Sequence, residues 1–215
     1  MNKAPTPPAI RLKSHWFNEE AQKTPEQNAG AMGFITWRLA QQMIKRMRGA
    51  GFDIDIGEPY FAFMREALVF LGAVIDRIAH ARMDGPARQR FTTALVLKLA
   101  EYVQENEGEY LAAAAPSAYA DRFIDLYNEV QGHYAEFGAD AGTTDEAGFT
   151  PDFAFYRYLG HRLEPVLPPK DRRWVIDQIM AVEAPEVVET VQRAMRDLFA
   201  AGGRPRRRRA TLSGD

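Results

Sequence analysis

Apolar residues recur along this chain every three or four positions, the spacing of helices, and almost nowhere alternate as strands require. Gly33, Thr36, Trp37, Ala40, Met43, Ile44 and Met47 form one stripe and predict a first helix, α1, over 25–48. Thr24, Pro25 and Gln27 supply its start. They offer a side-chain cap, a residue whose missing N–H is no loss there, and a partner that returns the capping bond. Gly49 and Gly51 end it. The segment 51–57, GFDIDIG, alternates like a strand, but no second strand is in sight to satisfy its backbone groups, so it is read as a loop.

The same spacing predicts α2 over 58–82, with an apolar arc (Tyr60, Met64, Leu68, Leu71, Ile75, Ile78) widened by Phe63 and Phe70, the mark of a central, heavily buried helix. Helix α3 is predicted over 86–106, with Phe91, Leu95, Leu99 and Tyr102 inward. Glu105, Glu107 and Glu109 crowd its end and oppose the helix dipole, so that end is expected to fray, with Gly108 as the exit. Helix α4, over 117–137, places Phe123, Val130 and Tyr134 inward and Tyr127 on the flank. The loop 138–149, GADAGTTDEAGF, has the length at which loops tend to carry function, and is a candidate moving segment. Thr150 and Pro151 restart the chain as α5, which Pro165, Pro168 and Pro169 stop. Helix α6 follows over 169–183, and α7 runs from Pro185 to about Ala201.

No strand pair and no long internal repeat emerges. The expected architecture is all-α: a single-domain bundle of six to seven helices over 24–203, preceded by an arm (1–23) that is irregular or a short helix. A disordered, Arg-rich tail (204–215) follows.

Composition narrows the chemistry. Hydrophobic residues make up 46% and charged residues 26%, as in soluble globular proteins. There is no cysteine, which excludes disulfides, thiolate metal sites and a cysteine nucleophile. The longest uncharged apolar run, Ala67 to Ile75, is far short of the ~20 residues needed to cross a bilayer. Residues 1–8 lack the order of a secretory signal, so the cytoplasm is the expected compartment. The net charge of −2 hides an asymmetry: 22 basic and 28 acidic residues precede Arg204, whereas five arginines and one acid follow. An acidic body makes duplex DNA a poor partner.

Four helical pairs place histidine near a carboxylate: Asp76 with His80, Glu129 with His133, His133 with Glu136, and His161 with Glu164. His80 and His161 project away from their apolar faces, and His133 lies at the margin of its own. Surface pairing explains these groups. An all-α metal-dependent enzyme or hydrophobic-ligand binder, with Glu129, His133, Glu136, His161 and Glu164 between α2, α4 and α5, is the alternative. Asp53, Asp55, Gly57 and Glu58 resemble the opening of a calcium loop, but Gly57 stands where a ligand is due and Met64 where the closing glutamate is due. No glycine-rich phosphate cradle or serine nucleophile motif is present, and no cofactor is predicted.

The tail carries Arg204, Arg206, Arg207, Arg208 and Arg209, which must stay solvated or meet anions: an acidic protein, RNA or an anionic membrane. Phe34, Ile35 and Leu39 lie off the main stripe of α1 and suggest a second apolar surface for a protein partner or a homodimer. The expected function is thus a non-catalytic helical interaction protein (adaptor, regulator or assembly factor) using α1 and the tail. Deleting 204–215 should leave the unfolding midpoint unchanged while weakening association with an anionic partner, more so at low salt. Binding undiminished by the deletion, across a salt series, would remove the tail from the mechanism.

Overall fold

The computed structural model describes residues 23–111, 117–138 and 149–200. Across them run α1 (Pro25–Gly49), α2 (Glu58–His80), α3 (Gly85–Leu111), α4 (Ala118–Glu136), α5 (Phe153–Leu163), α6 (Pro169–Gln178) and α7 (Ala184–Ala200), with no strand among the described residues. The all-α bundle is therefore the fold. The tail 204–215 and most of the 138–149 loop lie outside the described residues.

The start of α1 follows its sequence. Thr24 accepts from the Gln27 N–H, and the Gln27 side chain accepts from the Thr24 N–H at 3.0 Å, closing the capping box. Segment 51–57 is a loop, with Ile54 buried in the core. It is tied to the start of α6 through the Asp53 N–H, which donates to Asp171 at 2.8 Å, and through an Asp53–Lys170 ion pair at 3.0 Å.

Three boundaries differ from the pattern-based expectation. Helix α3 does not fray at Gly108 but continues to Leu111, because Glu107 turns inward and is fully buried. Helix α5 begins at Phe153, where Asp152 accepts from the Phe155 N–H at 2.8 Å, and not at the Thr150–Pro151 pair. Between α6 and α7 there is no break. A π-turn over Ile179–Glu183 joins them, the Ala184 N–H reaching back to the Ile179 carbonyl. Pro185 has no N–H to give the preceding turn, and widening the helix just before it lets the chain run on.

Helix α2 is the axis of the bundle, contacting α1, α3, α4, α5 and α7. Between Phe61 and Asp76 only Ala62 is not buried. Phe63 and Phe70 are completely enclosed, each contributing about 1.5–3 kcal/mol of hydrophobic stabilisation. The paired residues fix the directions. Helices α1 and α3 run parallel, with Glu26 beside Arg90 and Trp37 against Tyr102. Helix α3 runs antiparallel to α2, since Arg88 meets Asp76 and Glu107 meets Arg65.

An aromatic cluster ties α2, α4 and α5 together. Phe70 packs edge-on against Phe155 at 5.6 Å, and Tyr134 lies 4.5 Å from Phe155. Phe149 joins it, 5.6 Å from Phe155. Its carbonyl accepts from the Gln192 side chain at 2.8 Å, so the far end of the 138–149 loop is anchored on α7.

Two glycines permit close helix approach. A Cβ on Gly160 would lie 3.0 Å from the Ile176 Cα, and one on Gly72 would lie 2.8 Å from the Tyr127 ring. Tyr127 is buried against α2, not on the flank of α4. Gly72→Ala should therefore destabilise by about 1–3 kcal/mol through overpacking. Gly132→Ala, in the interior of α4 with open space around the new methyl, should stabilise by about 0.5–1 kcal/mol. Urea unfolding of the two variants checks both signs.

Candidate functional site

Charged side chains embedded in an apolar helix demand partners, because an unpaired buried charge is several kcal/mol unfavourable. Helix α2 buries three: Arg65, Glu66 and Asp76. Asp76 accepts from Arg88 at 2.5 and 3.0 Å and from the Thr92 hydroxyl at 2.6 Å, while Arg88 also reaches His80 at 3.0 Å. This knot fastens the end of α2 to the start of α3.

Arg65 and Glu66 face a different neighbourhood. Arg65 bridges Glu58 at 2.5 Å on its own helix and the fully buried Glu107 of α3. Glu66 receives a two-pronged bond from Arg162 of α5, Nε to Oε2 at 3.0 Å and Nη2 to Oε1 at 2.6 Å. Burial pushes the Glu107 carboxyl up from the ordinary carboxylate range, against the lowering pull of Arg65, and its second oxygen has no hydrogen-bond partner.

Glu58, Arg65, Glu66 and Arg162 line an open groove of about 650 Å³ between α2, α4 and α5. Its α2 side is formed by Glu58, Ala62, Arg65 and Glu66, its α5 side by Arg162. The α4 side presents Asp121, Asp125 and Glu129, four residues apart and so on one helical face, with Leu126 and Ala118 beside them. Arg122 also lines it and pairs with Glu58 at 3.1 Å. Asp121 accepts from the Ser117 hydroxyl at 2.7 Å. Asp125 and Glu129 make no hydrogen bond or ion pair to another described residue.

Helix α4 is held at both ends by its neighbours. Ser117 provides no side-chain cap; instead Gln104 of α3 accepts from the Tyr119 and Ala120 N–H groups at 3.0 and 3.1 Å. At the other end Arg77 of α2 donates to the carbonyls of Tyr134, Ala135 and Phe137 at 3.2, 2.7 and 2.9 Å. A cation there also complements the helix dipole. The carboxylate face of α4 is thus rigidly presented.

The residues singled out from the sequence are dispersed. Glu129 lies in the groove, whereas His133 and Glu136 are exposed further along α4, the His133 ring 5.7 Å from that of Tyr158. His161 and Glu164 pair with each other at 3.0 Å on the surface of α5. Among the described residues no three His, Asp or Glu side chains converge as a metal ion would need, so the metal alternative finds no assembled ligand set. Leu39 is buried in the chain's own core and Ile35 is half-buried against it, which leaves only Phe34 of that trio, 57% exposed, free for another surface. Asp53 and Asp55 diverge from a calcium cage, Asp53 being taken by Lys170. Among the described residues no helix is long and apolar enough to cross a membrane.

Arg65, Glu66, Arg162, Asp121 and Asp125, and the stripe the last two form with Glu129, were not singled out by the sequence pattern. Two signals pointed to them: charges inside the widest apolar arc, and three acids at four-residue steps on one helix.

Arg65→Met should cost about 3–5 kcal/mol by stranding Glu107, and adding Glu107→Leu should recover most of that loss. Because the Glu107 carboxyl titrates higher in the native chain than unfolded, the native state holds more protons there. Its contribution to stability accordingly falls as pH rises through the native value and grows on acidification. Chemical denaturation of wild type and Glu107→Gln over a pH series should show the wild type losing ground to the variant toward neutral pH; a constant difference would contradict this. Comparison of the chain with known protein families, with curated proteins and with solved structures returned no match.

Proposed function

We propose that this chain is a non-catalytic helical docking protein whose α2–α4–α5 groove receives a basic, amphipathic segment of a partner protein. One observation carries the reading: Asp125 and Glu129 stand on the groove's rim with no ion pair or hydrogen bond among the described residues, Arg162 acting on Glu129 only through space, while the arginines are already engaged by Glu58, Glu66 and Glu107. The groove therefore offers surplus negative charge around the apolar Leu126, Ala62 and Ala118. An arginine- or lysine-bearing segment with apolar residues between its charges matches both features.

Chemistry in the groove has less support. Its lining supplies carboxylates, guanidinium groups and apolar side chains, with no imidazole, hydroxyl or amine among them. The acidic body of the chain supports the same choice of partner by drawing cations toward it. The second apolar surface on α1, reduced to Phe34, has no part in this reading.

Each exposed carboxylate–cation contact is worth about 0.2–1 kcal/mol, so removing two rim charges should weaken binding by about tenfold. The probe is a fluorescent twelve-residue peptide with arginines at every third or fourth position among leucines, titrated by anisotropy. Asp125→Asn with Glu129→Gln should raise its Kd by that factor, and a peptide with glutamate for arginine should not bind. Equal affinity of wild type and double variant would overturn the proposal.

A further inference from the structure

A second depression, a furrow of about 380 Å³, runs between the N-terminal halves of α1 and α3. Its α3 wall includes Thr93, Ala94 and Leu97, and Glu26 of α1 stands at its mouth, paired with Arg90 at 3.2 Å. Leu97 is 51% exposed, and Phe34, about two turns beyond Glu26 along α1, is 57% exposed. Between Glu26 and Phe34, one turn from each, comes Gly30, and the space its side chain would take has nothing within 4 Å. Exposed Leu97 in the furrow, and on α1 an uncovered glycine with exposed Phe34 one turn beyond it, offer a seat for a bulky apolar residue.

We propose that this furrow is filled by residues 10–17 of the same chain, with Trp16 and Phe17 as the anchors. Residues 18–23 connect the segment to Thr24, the cap of α1, which precedes Glu26 at the furrow's mouth by two positions. Phe34 lies about 15 Å along the axis from Thr24 at 1.5 Å per residue. Phe17 stands seven positions before Thr24, a stretch that spans roughly 23 Å when extended, so the anchors reach the whole furrow with slack. The large apolar residues of the arm are Ile10, Leu12, Trp16 and Phe17, and Glu19 and Glu20 follow, close in sequence to the point where the chain passes Arg90. A second copy of the chain is the weaker occupant. A stable dimer covers roughly 800 Å² on each partner, and a furrow bounded by two exposed side chains holds a short segment, not a helix pair.

The absence of native cysteine makes the test direct, since engineered thiols are the only ones present. In the full-length chain, Asn18→Cys is combined with Thr93→Cys in the furrow, or with Arg157→Cys on α5 as the control. Mild oxidation should give an intramolecular disulfide in the first pair at least about tenfold faster than in the second, the gain expected of a docked over a merely tethered segment. Adding Trp16→Ala and Phe17→Ala should abolish the advantage. Equal rates in the two pairs, or an advantage that survives loss of the anchors, would overturn the proposal. A disulfide-linked dimer as main product would assign the furrow to a second copy and overturn it equally.

Discussion

The bundle depends on α2 being enclosed on every side, because a helix in that position has no water to solvate its polar groups. Each charged residue it buries must find an opposite charge on another helix, and each finds it on a defined one: Asp76 and Arg65 on α3, Glu66 on α5. The energetics are asymmetric. A complete buried pair contributes little more than apolar packing of the same volume, whereas a broken one is strongly unfavourable. Apolar contacts bring the helices together, and the ion pairs penalise any register that leaves a charge stranded.

The groove follows from that arrangement. Glu66 cannot be buried without Arg162, nor Arg65 without Glu107, so one edge of the depression is charged by structural necessity. The opposite edge is different in kind. Asp125 and Glu129 neither cap a helix nor join an ion pair among the described residues, and nothing in the packing of α4 requires them. Helix α4 is secured elsewhere, by Gln104 and Arg77 at its two ends. Two carboxylates with no structural duty, on a helix immobilised by its neighbours, are what single this face out.

The helices themselves were legible in the sequence because their apolar stripes follow the period and because Thr24, Pro25 and Gln27 state the first boundary locally. Glu107 was not legible. Its meaning depends on Arg65, forty-two residues earlier, and no local rule distinguishes an acid that weakens a helix end from one that is buried and paired. Leu39 was misplaced for a related reason: α1 is flanked by α2, α3 and α7, so more than one of its faces is interior. Of the groove, Glu129 was legible as a helical carboxylate, but Asp121, Asp125 and Glu129 become one wall of a depression only when α2 and α5, distant in sequence, face them. Two of these, His80 and His161, do lie outward, as their projection from the helical faces indicated.

The wide turn between α6 and α7 bears on how the last third of the chain keeps its phase. Val175, Ile179, Glu183, Val187, Val191 and Met195 are all buried, an unbroken four-residue beat across both helices. On a regular α-helix every four-residue step overshoots a full revolution by about 40°, so five such steps would swing the interior edge roughly 200° around the axis. One turn that closes on the fifth residue instead of the fourth absorbs part of that overshoot. The beat of four is thus a record of the turn's extra residue, and removing a single residue there would put α6 and α7 out of step.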